Sequence, residues 1–561
     1  MIYLVSNNLS LFEEDCYERI SLAAAVNLVN SWECIQFDVE TGGRNPHLVP
    51  LLCAQFGNKK EDIQIVVDCQ NNNNILAFKE PLENKEVIGH NIKFDLQFLY
   101  NYSIVPLKVY DTMIAEQVLY LGYPVYGKPG GISYALKALG ERYLGIDIDK
   151  STRGEIIWRG LDSKVILYAA GDVKYLEDIK ELQEKEANKK DCIKAIQLEN
   201  RFVPVTAYLE WCGIKLDQEK WKAKMQNDLA NLETSKKALD SFIENLVSKD
   251  STANNMWAEE DFCFQERVYG GNTRTHSIPE GAQVIPNSGY SSYNENDCTH
   301  YDYVKIKRKF PFCEINLQGD LFTGFDSSPH CIINWSSSRQ VIQVAKFLGF
   351  NTVIQDKKTG EDKESVLEKE LSNQRGINDE FLDLYFKYQE YSKLVSSFGQ
   401  GHLNAVNPKT GRIHTTYKQL GAASGRMSCG SSQSDSDLAK FKKLKDSDCK
   451  YPNIQQLPHD EQTRSCFVAE NGNLWVSCDY SAKQKIILYI ILFIMYQGAS
   501  IYLQRKYDKW HLFEETLREK CVKFKESDTP ANPEPSLSKR FGKEGAETII
   551  RYLNTHTITS A

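Results

Sequence analysis

The sequence of 561 residues lacks several features that mark particular classes of protein. Its 15 cysteines include no C-x-x-C pair, so no paired zinc-ligand spacing is present and reduced thiols are expected. The first twenty residues carry acids where a secretory signal has a basic segment and an apolar core. The longest apolar run, 486–496, is short of the roughly 20 residues that cross a bilayer. These absences predict a cytoplasmic protein without a membrane span.

An excess of positive charge is also missing. Lys and Arg number 67 against 75 Asp and Glu, which leaves a net charge of −8. Overall charge therefore gives no sign of nucleic-acid binding, although a local basic groove is compatible with it. Hydrophobic residues at 42% and aromatics at 11% suffice to bury several cores and exclude a disordered chain. The length predicts roughly three to four domains.

Hydrophobic periodicity changes along the chain and divides it into regions. Short β-like runs alternate with helical stretches over about 1–190, which predicts a sheet with helices packed on it. Apolar residues recur every three or four positions over 190–250, which predicts an antiparallel helical pair. Glycine and proline punctuate 251–330, which predicts an irregular insertion, and the polar stretch 429–450 predicts a mobile surface loop. The expected fold class is α/β, multidomain.

Four carboxylates and a phenol in the first region are placed to converge. Asp38 and Glu40 are two residues apart on an expected strand, so both side chains point to one face. Asp95 stands at the start of an expected helix, and Tyr168 and Asp172 have the i, i+4 spacing of one helix face. A lone D-x-E pattern predicts only solvated charges. Acids at this density need cations between them, and oxygen ligands suit Mg²⁺ or Mn²⁺. The set predicts two-metal phosphodiester cleavage.

The motifs that carry these residues, FDVET, NIKFD and YAAGD in that order, resemble the DEDD superfamily of 3′–5′ exonucleases in its tyrosine subtype. The resemblance implies an RNase H-like domain with a mixed sheet and two Mg²⁺ or Mn²⁺ ions at the site. By that likeness, Asp38 bridges both metals. Glu40 and Asp172 hold the metal on the side of the nucleophile. Asp95 acts on the second metal, partly through water, and Tyr168 orients the attacking water.

The same resemblance, which covers about 30–185, also implies roles for other residues of the first region. Asn91, in the second motif, is expected to support the site or contact the nucleic-acid strand. Asp111, in the sequence DTM, matches a further turn usual in this family. His90 lies outside the position that a catalytic histidine takes in the other subtype. A structural role is expected for His90.

A second series of motifs resembles the family A DNA polymerases, the DNA polymerase I type, including phage-like members. RFVPVTAYLEWCGIKLD resembles the segment that joins the exonuclease to the thumb, and INWSSSRQ resembles the Asn-x-x-Ser-x-x-Gln segment. GRIHTTYKQLGAASGRMSC, YPNIQQLP and VSCDYSAKQ resemble the palm entry, in order. The likeness covers about 195–490, with 251–330 and 429–450 unmatched. It implies DNA contacts through the guanidinium of Arg426 and the amides of Asn453 and Gln455.

The last of these motifs corresponds to polymerase motif A. Asp479 takes the place of the aspartate that binds both catalytic metals in the family, followed by Tyr480 and Ser481. Gln484 stands where the family has a glutamate that excludes ribose. The residues after motif A contain neither the expected fingers pattern nor a His-Asp-Glu order. Because polymerisation needs two carboxylates, nucleotide addition by this chain alone is not expected, although binding of primer–template is.

These observations predict four regions and one main function. The regions are an exonuclease domain at 1–190, a helical thumb and connecting region at 191–400 that contains the insertion 251–330, the start of a palm at 401–490, and a divergent tail of unknown role at 491–561. The expected function is DNA-directed DNA polymerase of family A type with a 3′–5′ proofreading exonuclease, acting in DNA replication. Two alternatives stay open: a free-standing 3′–5′ exonuclease with a DNA-holding polymerase remnant, and a non-catalytic DNA-binding subunit of a split polymerase.

The expected partners follow from this function. They are DNA as a single-stranded 3′ end or a primer–template, and dNTP only if another chain supplies the missing half. A second polymerase chain or replisome proteins are further candidates, and for a phage protein the compartment is the host cytoplasm. A basic cluster, consisting of Lys305, Lys307, Arg308 and Lys309, is expected to add phosphate contacts that weaken with salt. Host, processivity, oligomeric state and the role of the insertion stay open.

Overall fold

The chain is described here by a computed structural model. It covers residues 1–6, 16–70, 72–124, 131–148, 160–268, 273–294, 299–315, 318–320, 324–326, 328–355, 360–422 and 424–473. Contacts between residues divide the chain into Met1–Val468 and Ala469–Ala561. The helices and strands of the described residues lie in the first of these units.

A mixed seven-stranded sheet forms the first part of the chain. Its strands are β1 (Ile2–Val5), β2 (Glu18–Arg19), β3 (Cys34–Thr41), β4 (Leu51–Asn58), β5 (Ile63–Asp68), β6 (Glu86–Gly89) and β7 (Val109–Asp111). Their order across the sheet is β2-β1-β5-β4-β3-β6-β7. Strand β3 pairs antiparallel with β4 and parallel with β6, so it is an interior strand. The predicted mixed sheet with flanking helices is confirmed.

Helices flank this sheet in the described part of the chain. They are α1 (Leu22–Ser31), α2 (Lys79–Asn84), α3 (Lys93–Tyr100), α4 (Thr112–Leu119), α5 (Leu136–Leu144), α6 (Ser163–Val173), α7 (Leu176–Lys189) and α8 (Ile193–Cys212). Several begin at a side-chain cap: Ser21, Asp111 and Asp162 each accept a hydrogen bond from a backbone N–H of the first turn. Such caps satisfy amide groups that have no partner within the helix.

Helix α8 completes the core of the first sheet. Val203 and Ala207 are fully buried and pack in the same cluster as Phe37 of β3. The hydroxyl of Tyr100 donates to the carbonyl of Pro204 inside α8 at 3.1 Å. Helix α8 is therefore part of the same hydrophobic core as the sheet that precedes it.

The following part of the chain is built from helices and short strands. The helices are α9 (Gln218–Lys249), α10 (Ser338–Phe347), α11 (Glu368–Ser372), α12 (Asp379–Ser397), α13 (Gln400–Asn404), α14 (Ser436–Lys442) and α15 (Glu461–Arg464). The strands outside the insertion are β8 (Ile214–Lys215), β18 (Val353–Gln355), β19 (Asp362–Glu364), β20 (Val406–Asn407), β21 (Arg412–Ile413), β22 (Tyr417–Lys418) and β23 (Ser428–Cys429).

The prediction that residues 190–250 form an antiparallel helical pair is wrong, because each of the two helices packs against other elements. Helix α8 packs against α3 and α4, whereas α9 packs against α12. The two helices are separated at Gly213, which has a φ of 60°, and by strand β8, which pairs with β21. Sequence neighbours thus find different partners because each amphipathic face is buried by a distant element.

The insertion 251–330 is not irregular, which corrects the expectation. Its strands are β9 (Trp257–Val268), β10 (Thr273–Thr275), β11 (Gln283–Val284), β12 (Tyr290–Asn294), β13 (Thr299–Lys309), β14 (Cys313–Ile315), β15 (Gln318–Asp320), β16 (Gly324–Asp326) and β17 (Pro329–Cys331). The first five form an antiparallel sheet. Pro279, Gly281, Pro286 and Gly289 lie in the connections between these five strands.

The stretch 429–450 also folds, so the expectation of a mobile surface loop is wrong. It contains α14, on which Leu438 and Ala439 are buried, and Cys449 packs in the same cluster. The carboxylate of Asp435 caps this helix by accepting from the backbone N–H of Leu438 at 3.0 Å. A few buried apolar residues are enough to anchor a segment whose composition is mostly polar.

Two further observations apply to the described ranges alone. No helix in them is both long enough and apolar enough to span a bilayer. The cysteines in them are free thiols.

Candidate active site

Strand β3 presents the first two carboxylates. Alternation along the strand buries Ile35, Phe37 and Val39 on one face and turns Asp38 and Glu40 to the other. Both carboxylates are partly exposed. The structure therefore places this pair on one face of a strand, as the spacing predicts.

Helix α6 brings the third carboxylate and the phenol to the same place. The helix packs against β3, β4 and β5, and its Asp172 is 5% exposed. Carboxylate oxygens of Asp38, Glu40 and Asp172 all lie within 4.8 Å of one another. Three acids this close repel one another unless a cation lies between them, and hard oxygen donors are the ligands that Mg²⁺ and Mn²⁺ prefer. The donor set thus fits a divalent metal.

Asp95 lies next to this group, at the start of α3. Its Oδ1 accepts a hydrogen bond from the backbone N–H of Val39 at 3.0 Å, between the two carboxylates of β3. Burial raises the pKa of Asp95 well above its ordinary value, and the nearby charge of Asp38 raises it further. A bound cation would offset both effects.

The four acids line one cavity, which we call the carboxylate cleft. Its volume is about 830 Å³, and Asp38, Glu40, Asp95 and Asp172 lie on its wall together with Tyr168. Burial raises the pKa of Tyr168, and the neighbouring carboxylates of Asp172 and Glu40 raise it further. The phenol therefore stays protonated and can donate a hydrogen bond at neutral pH. The structure brings together all five residues predicted for catalysis.

Residues at and near the second motif form a turn beside the carboxylate cleft. Asn91 has a φ of 58°, and its backbone N–H donates to Oδ1 of Asp111 at 2.9 Å. Burial raises the pKa of Asp111 to about 6. His90 contacts Thr112 through Nδ1 at 2.9 Å and also lines the carboxylate cleft, so its structural role stays a prediction. The side chain of Asn91 lines the carboxylate cleft, so its contact with a strand stays a prediction.

A buried carboxylate that the sequence analysis missed connects helix α3 with strand β22. Glu210, near the end of α8, accepts from Nζ of Lys93 at 2.6 Å and from Nε2 of Gln97 at 2.6 Å. It also accepts from the backbone N–H of Tyr417 at 2.5 Å. Lys93 and Gln97 are one turn apart and flank Asp95 on α3. The only sequence signal for this junction was their i, i+4 spacing on one helix face.

We expect Glu210→Gln to lower the free energy of unfolding by about 2 to 3 kcal/mol, because Lys93 then loses its counterion in a poorly solvated place. The side chains of Lys93 and Glu210 are 18% and 8% exposed. Glu233→Gln is the matched control, since Glu233 pairs with Lys237 in the open at 65% and 74% exposure. The control should leave the free energy of unfolding nearly unchanged, because solvent screens this exposed pair. Urea unfolding followed by tryptophan fluorescence measures both, and equal shifts would contradict the assignment.

None of the residues predicted for DNA contact in the polymerase-like part lines the carboxylate cleft. Arg426 and Gln455 are exposed. Asn453 caps a short turn by accepting from the backbone N–H of Gln455 at 3.1 Å, and it lines a separate depression of about 620 Å³ with Asn404 and Lys450. Their contact with DNA stays a prediction.

The basic cluster of strand β13 faces acids. Lys305 lies opposite Asp261 and Lys307 opposite Glu259 on β9, and Nε of Arg308 is 2.6 Å from Glu260. Cross-strand pairs of opposite charge stabilise a sheet and offset each other's field. This pairing weakens the expectation that the cluster attracts phosphates.

The residues predicted for motif A, Asp479, Tyr480, Ser481 and Gln484, lie outside the described residues. The structure therefore says nothing of their positions. Their assignment stays a prediction from the sequence.

Comparison with protein families gives two matches. Residues 16–186 match a family of 3′–5′ exonucleases, and residues 329–488 match DNA polymerase family A. The first range contains the four acids and the phenol of the carboxylate cleft.

Curated relatives agree with these matches. The DNA polymerase I of Caldicellulosiruptor bescii is 33% identical over 140 residues, which are 24% of this chain and 14% of that protein. The DNA polymerase I of Aquifex aeolicus is 27% identical over 243 residues, 40% of this chain and 39% of that protein. The matched stretches thus span well under two thirds of these relatives.

Solved structures are similar at low identity. The POL domain of Pol1 from M. smegmatis in complex with DNA primer-template and dNTP is 16% identical with a TM-score of 0.47, covering 80% of this chain and 58% of that one. The Brucella melitensis protein NrnC with bound Mg²⁺ is 20% identical with a TM-score of 0.28, covering 37% of this chain and 92% of that one.

Proposed function

The chain belongs to the family A DNA polymerases and includes a 3′–5′ exonuclease region, and from this premise we propose that it hydrolyses the last phosphodiester bond at the 3′ end of DNA. One observation carries the proposal. Oxygens of Asp38, Glu40 and Asp172 come within 4.8 Å of one another in a cleft that also contains Asp95. Such a carboxylate group is the protein part of a two-metal phosphodiesterase.

We assign the metal to Mg²⁺, with Mn²⁺ as a substitute. Asp38, Glu40 and Asp172 would hold one ion, and Asp38 and Asp95 would hold the other. When bound, the ions supply charge neutralisation at the scissile phosphate and make the attacking water more acidic. The donor set contains only oxygens, which suits these hard cations.

The side chains of the cleft account for the other requirements of the reaction. The protonated hydroxyl of Tyr168 donates a hydrogen bond toward the place where the water attacks, which orients it. The hydrogen bond from Val39 fixes the orientation of Asp95. Asp95 and Asp172 are 1% and 5% exposed, which favours entry of a single unpaired nucleotide over that of a wider base-paired end. We therefore propose a frayed, single-stranded 3′ end as the substrate.

We further propose that this activity proofreads synthesis during DNA replication. The match of residues 329–488 to DNA polymerase family A supports this role, with primer–template DNA and dNTP as partners. Primer extension by the chain carrying Asp38→Ala tests for synthesis, since digestion then cannot conceal it. Stable binding of primer–template without extension would favour an exonuclease that uses the polymerase-like part to hold DNA.

Removal of divalent metal should stop the exonuclease reaction. With 5′-labelled single-stranded DNA and Mg²⁺ or Mn²⁺, we expect stepwise shortening from the 3′ end and release of nucleoside 5′-monophosphates. Excess chelator should reduce the rate by at least about 10³-fold, because the charge at the phosphate is then not neutralised. Added Mg²⁺ should restore it. A rate that is insensitive to chelator, or shortening from the 5′ end, would contradict the proposed function.

A further inference from the structure

One wall of the carboxylate cleft comes from a distant part of the sequence. Gln433, Asp435 and Tyr451 line the cleft together with the carboxylates of β3 and α6. All three lie outside the range 16–186 that matches the exonuclease family. They belong to residues 429–451, which we call the docking segment.

The docking segment is fastened to the loop that follows β3. The backbone N–H groups of Arg44 and Asn45 donate to Oδ2 of Asp437 at 2.6 and 2.9 Å. Nδ2 of Asn45 donates to Oδ2 of Asp435 at 2.7 Å. Asn45 and Asp435 are each 5% exposed, so water competes weakly for this bond. Both carboxylates therefore have donors from the exonuclease loop.

Gly43 makes this close approach possible. A Cβ at position 43 would lie 2.5 Å from Oδ1 and 2.7 Å from Oδ2 of Asp437, closer than such atoms can come. Gly43 does not have a positive φ, so the need for glycine is one of space. An alanine at position 43 would have to displace the Asp437 carboxylate from the N–H groups of Arg44 and Asn45.

The loop after β3 links the hydrogen bonds of the docking segment to the carboxylate cleft. It begins two residues after Glu40, and its Arg44 and His47 line the carboxylate cleft. Nε2 of His47 contacts the carbonyl of Trp211 at 2.9 Å, and its ring lies 4.2 Å from that of His414. The loop is thus held at Arg44, Asn45 and His47 by residues beyond the exonuclease range.

We propose that the docking segment positions the single DNA strand just behind the 3′-terminal nucleotide, and that Asp437 and Gly43 are positioning residues that hold it there. The inference rests on the proposed exonuclease function. Arg44 is exposed at the cleft and offers a guanidinium to a phosphate, while Tyr451 offers a ring to a base and Gln433 an amide. The charge of Asp437 does not oppose the strand strongly, because two N–H groups satisfy it.

The test compares two substrates of different length. A single-stranded 20-mer reaches the docking segment, whereas thymidine 5′-(p-nitrophenyl) phosphate occupies only the position of the terminal nucleotide. In Gly43→Ala and in Asp437→Ala we expect the ratio of kcat/KM for the 20-mer to that for the nitrophenyl ester to fall about tenfold, mainly through KM, which corresponds to one lost strand contact. Asp446→Ala, an exposed acid of the same segment, is the matched control and should keep the ratio of the unaltered chain.

The double variant checks that both residues act through one contact. Alanine at 437 makes room for the Cβ at 43, so Gly43→Ala should add little to the loss caused by Asp437→Ala. Additive losses, an unchanged ratio, or an equal fall for both substrates would overturn the inference. Equal loss would mean that the loop only supports the metal-binding strand.

A binding measurement separates this inference from the proposed function. In the Asp38→Ala background, which removes cleavage, anisotropy of a fluorescent single-stranded 20-mer should show about tenfold weaker binding when Gly43→Ala is added. If the unaltered chain cleaves neither substrate but this loss of affinity is seen, the proposed function fails and the inference stands. If cleavage is present and affinity is unaffected, the inference fails alone.

Discussion

Asp38→Ala should lower the rate of 3′-nucleotide release by at least about 10³-fold, the largest effect expected of any single substitution in this chain. We propose that Asp38 serves both metal positions, since it belongs to the group with Glu40 and Asp172 and its charge also acts on Asp95. Quantitative gel analysis of 5′-labelled single-stranded DNA in Mg²⁺ measures the rate.

The isosteric Asp38→Asn separates loss of charge from loss of structure. It keeps the shape of the side chain on β3 but cannot neutralise two cations, so we expect a loss similar to that in Asp38→Ala. Circular dichroism and single-strand binding should stay close to those of the unaltered chain. Degradation at more than a tenth of the normal rate in both variants would rule out the carboxylate cleft as the active site.

Tyr168→Phe should slow cleavage by about 10- to 10³-fold while leaving the Mg²⁺ concentration for half-maximal rate nearly unchanged, because we assign its hydroxyl to orienting water and not to holding metal. Asp172→Asn should reduce the rate and also raise that Mg²⁺ concentration. Rates measured over a Mg²⁺ titration for both variants distinguish the two roles. An equal shift in metal requirement would contradict the division.

The raised pKa of Tyr168 also predicts how the cleavage rate depends on pH. Burial and the carboxylates of Asp172 and Glu40 raise the pKa of Tyr168 above its ordinary value near 10, so the donor form persists throughout the pH range below it. The unaltered chain should therefore show no loss of rate from this group up to about pH 9. A fall in rate between pH 7 and 9 that disappears in Tyr168→Phe would show that the phenol titrates there.

Local periodicity predicted which side chains of the site share a face, and the resemblance of the three ordered motifs to DEDD exonucleases predicted that these faces meet. Two-residue alternation placed Asp38 and Glu40 on one face of a strand, and the i, i+4 spacing placed Tyr168 and Asp172 on one face of a helix. The same short-range rules located Asp95 near the start of α3. These rules work because side-chain direction within a strand or helix depends only on neighbouring residues.

Contacts between distant segments could not be predicted in this way. Glu210 and Asp437 look like ordinary acids in the sequence, and their partners Lys93 and Arg44 lie 117 and 393 residues away. Which acid meets which loop depends on how whole elements pack. The spacing of residues along the chain contains no information about that.

Composition was misleading in two places. Glycine and proline over 251–330 indicated irregular structure, yet β9 and β13 pair along their lengths and place opposite charges across from each other. The polar stretch 429–450 forms α14 on a few buried apolar residues. In both, a small number of long-range pairings outweighed the average character of the segment.

The split origin of the carboxylate cleft has a consequence for synthesis of the protein on the ribosome. Arg44 leaves the ribosome 393 residues before Asp437, and at about 5 to 20 residues per second this separation amounts to about 20 to 80 s. Helix α8 completes the core of the first sheet within that interval. A nascent chain can therefore assemble the carboxylates of β3, α3 and α6 well before the docking segment exists to cover one side of them.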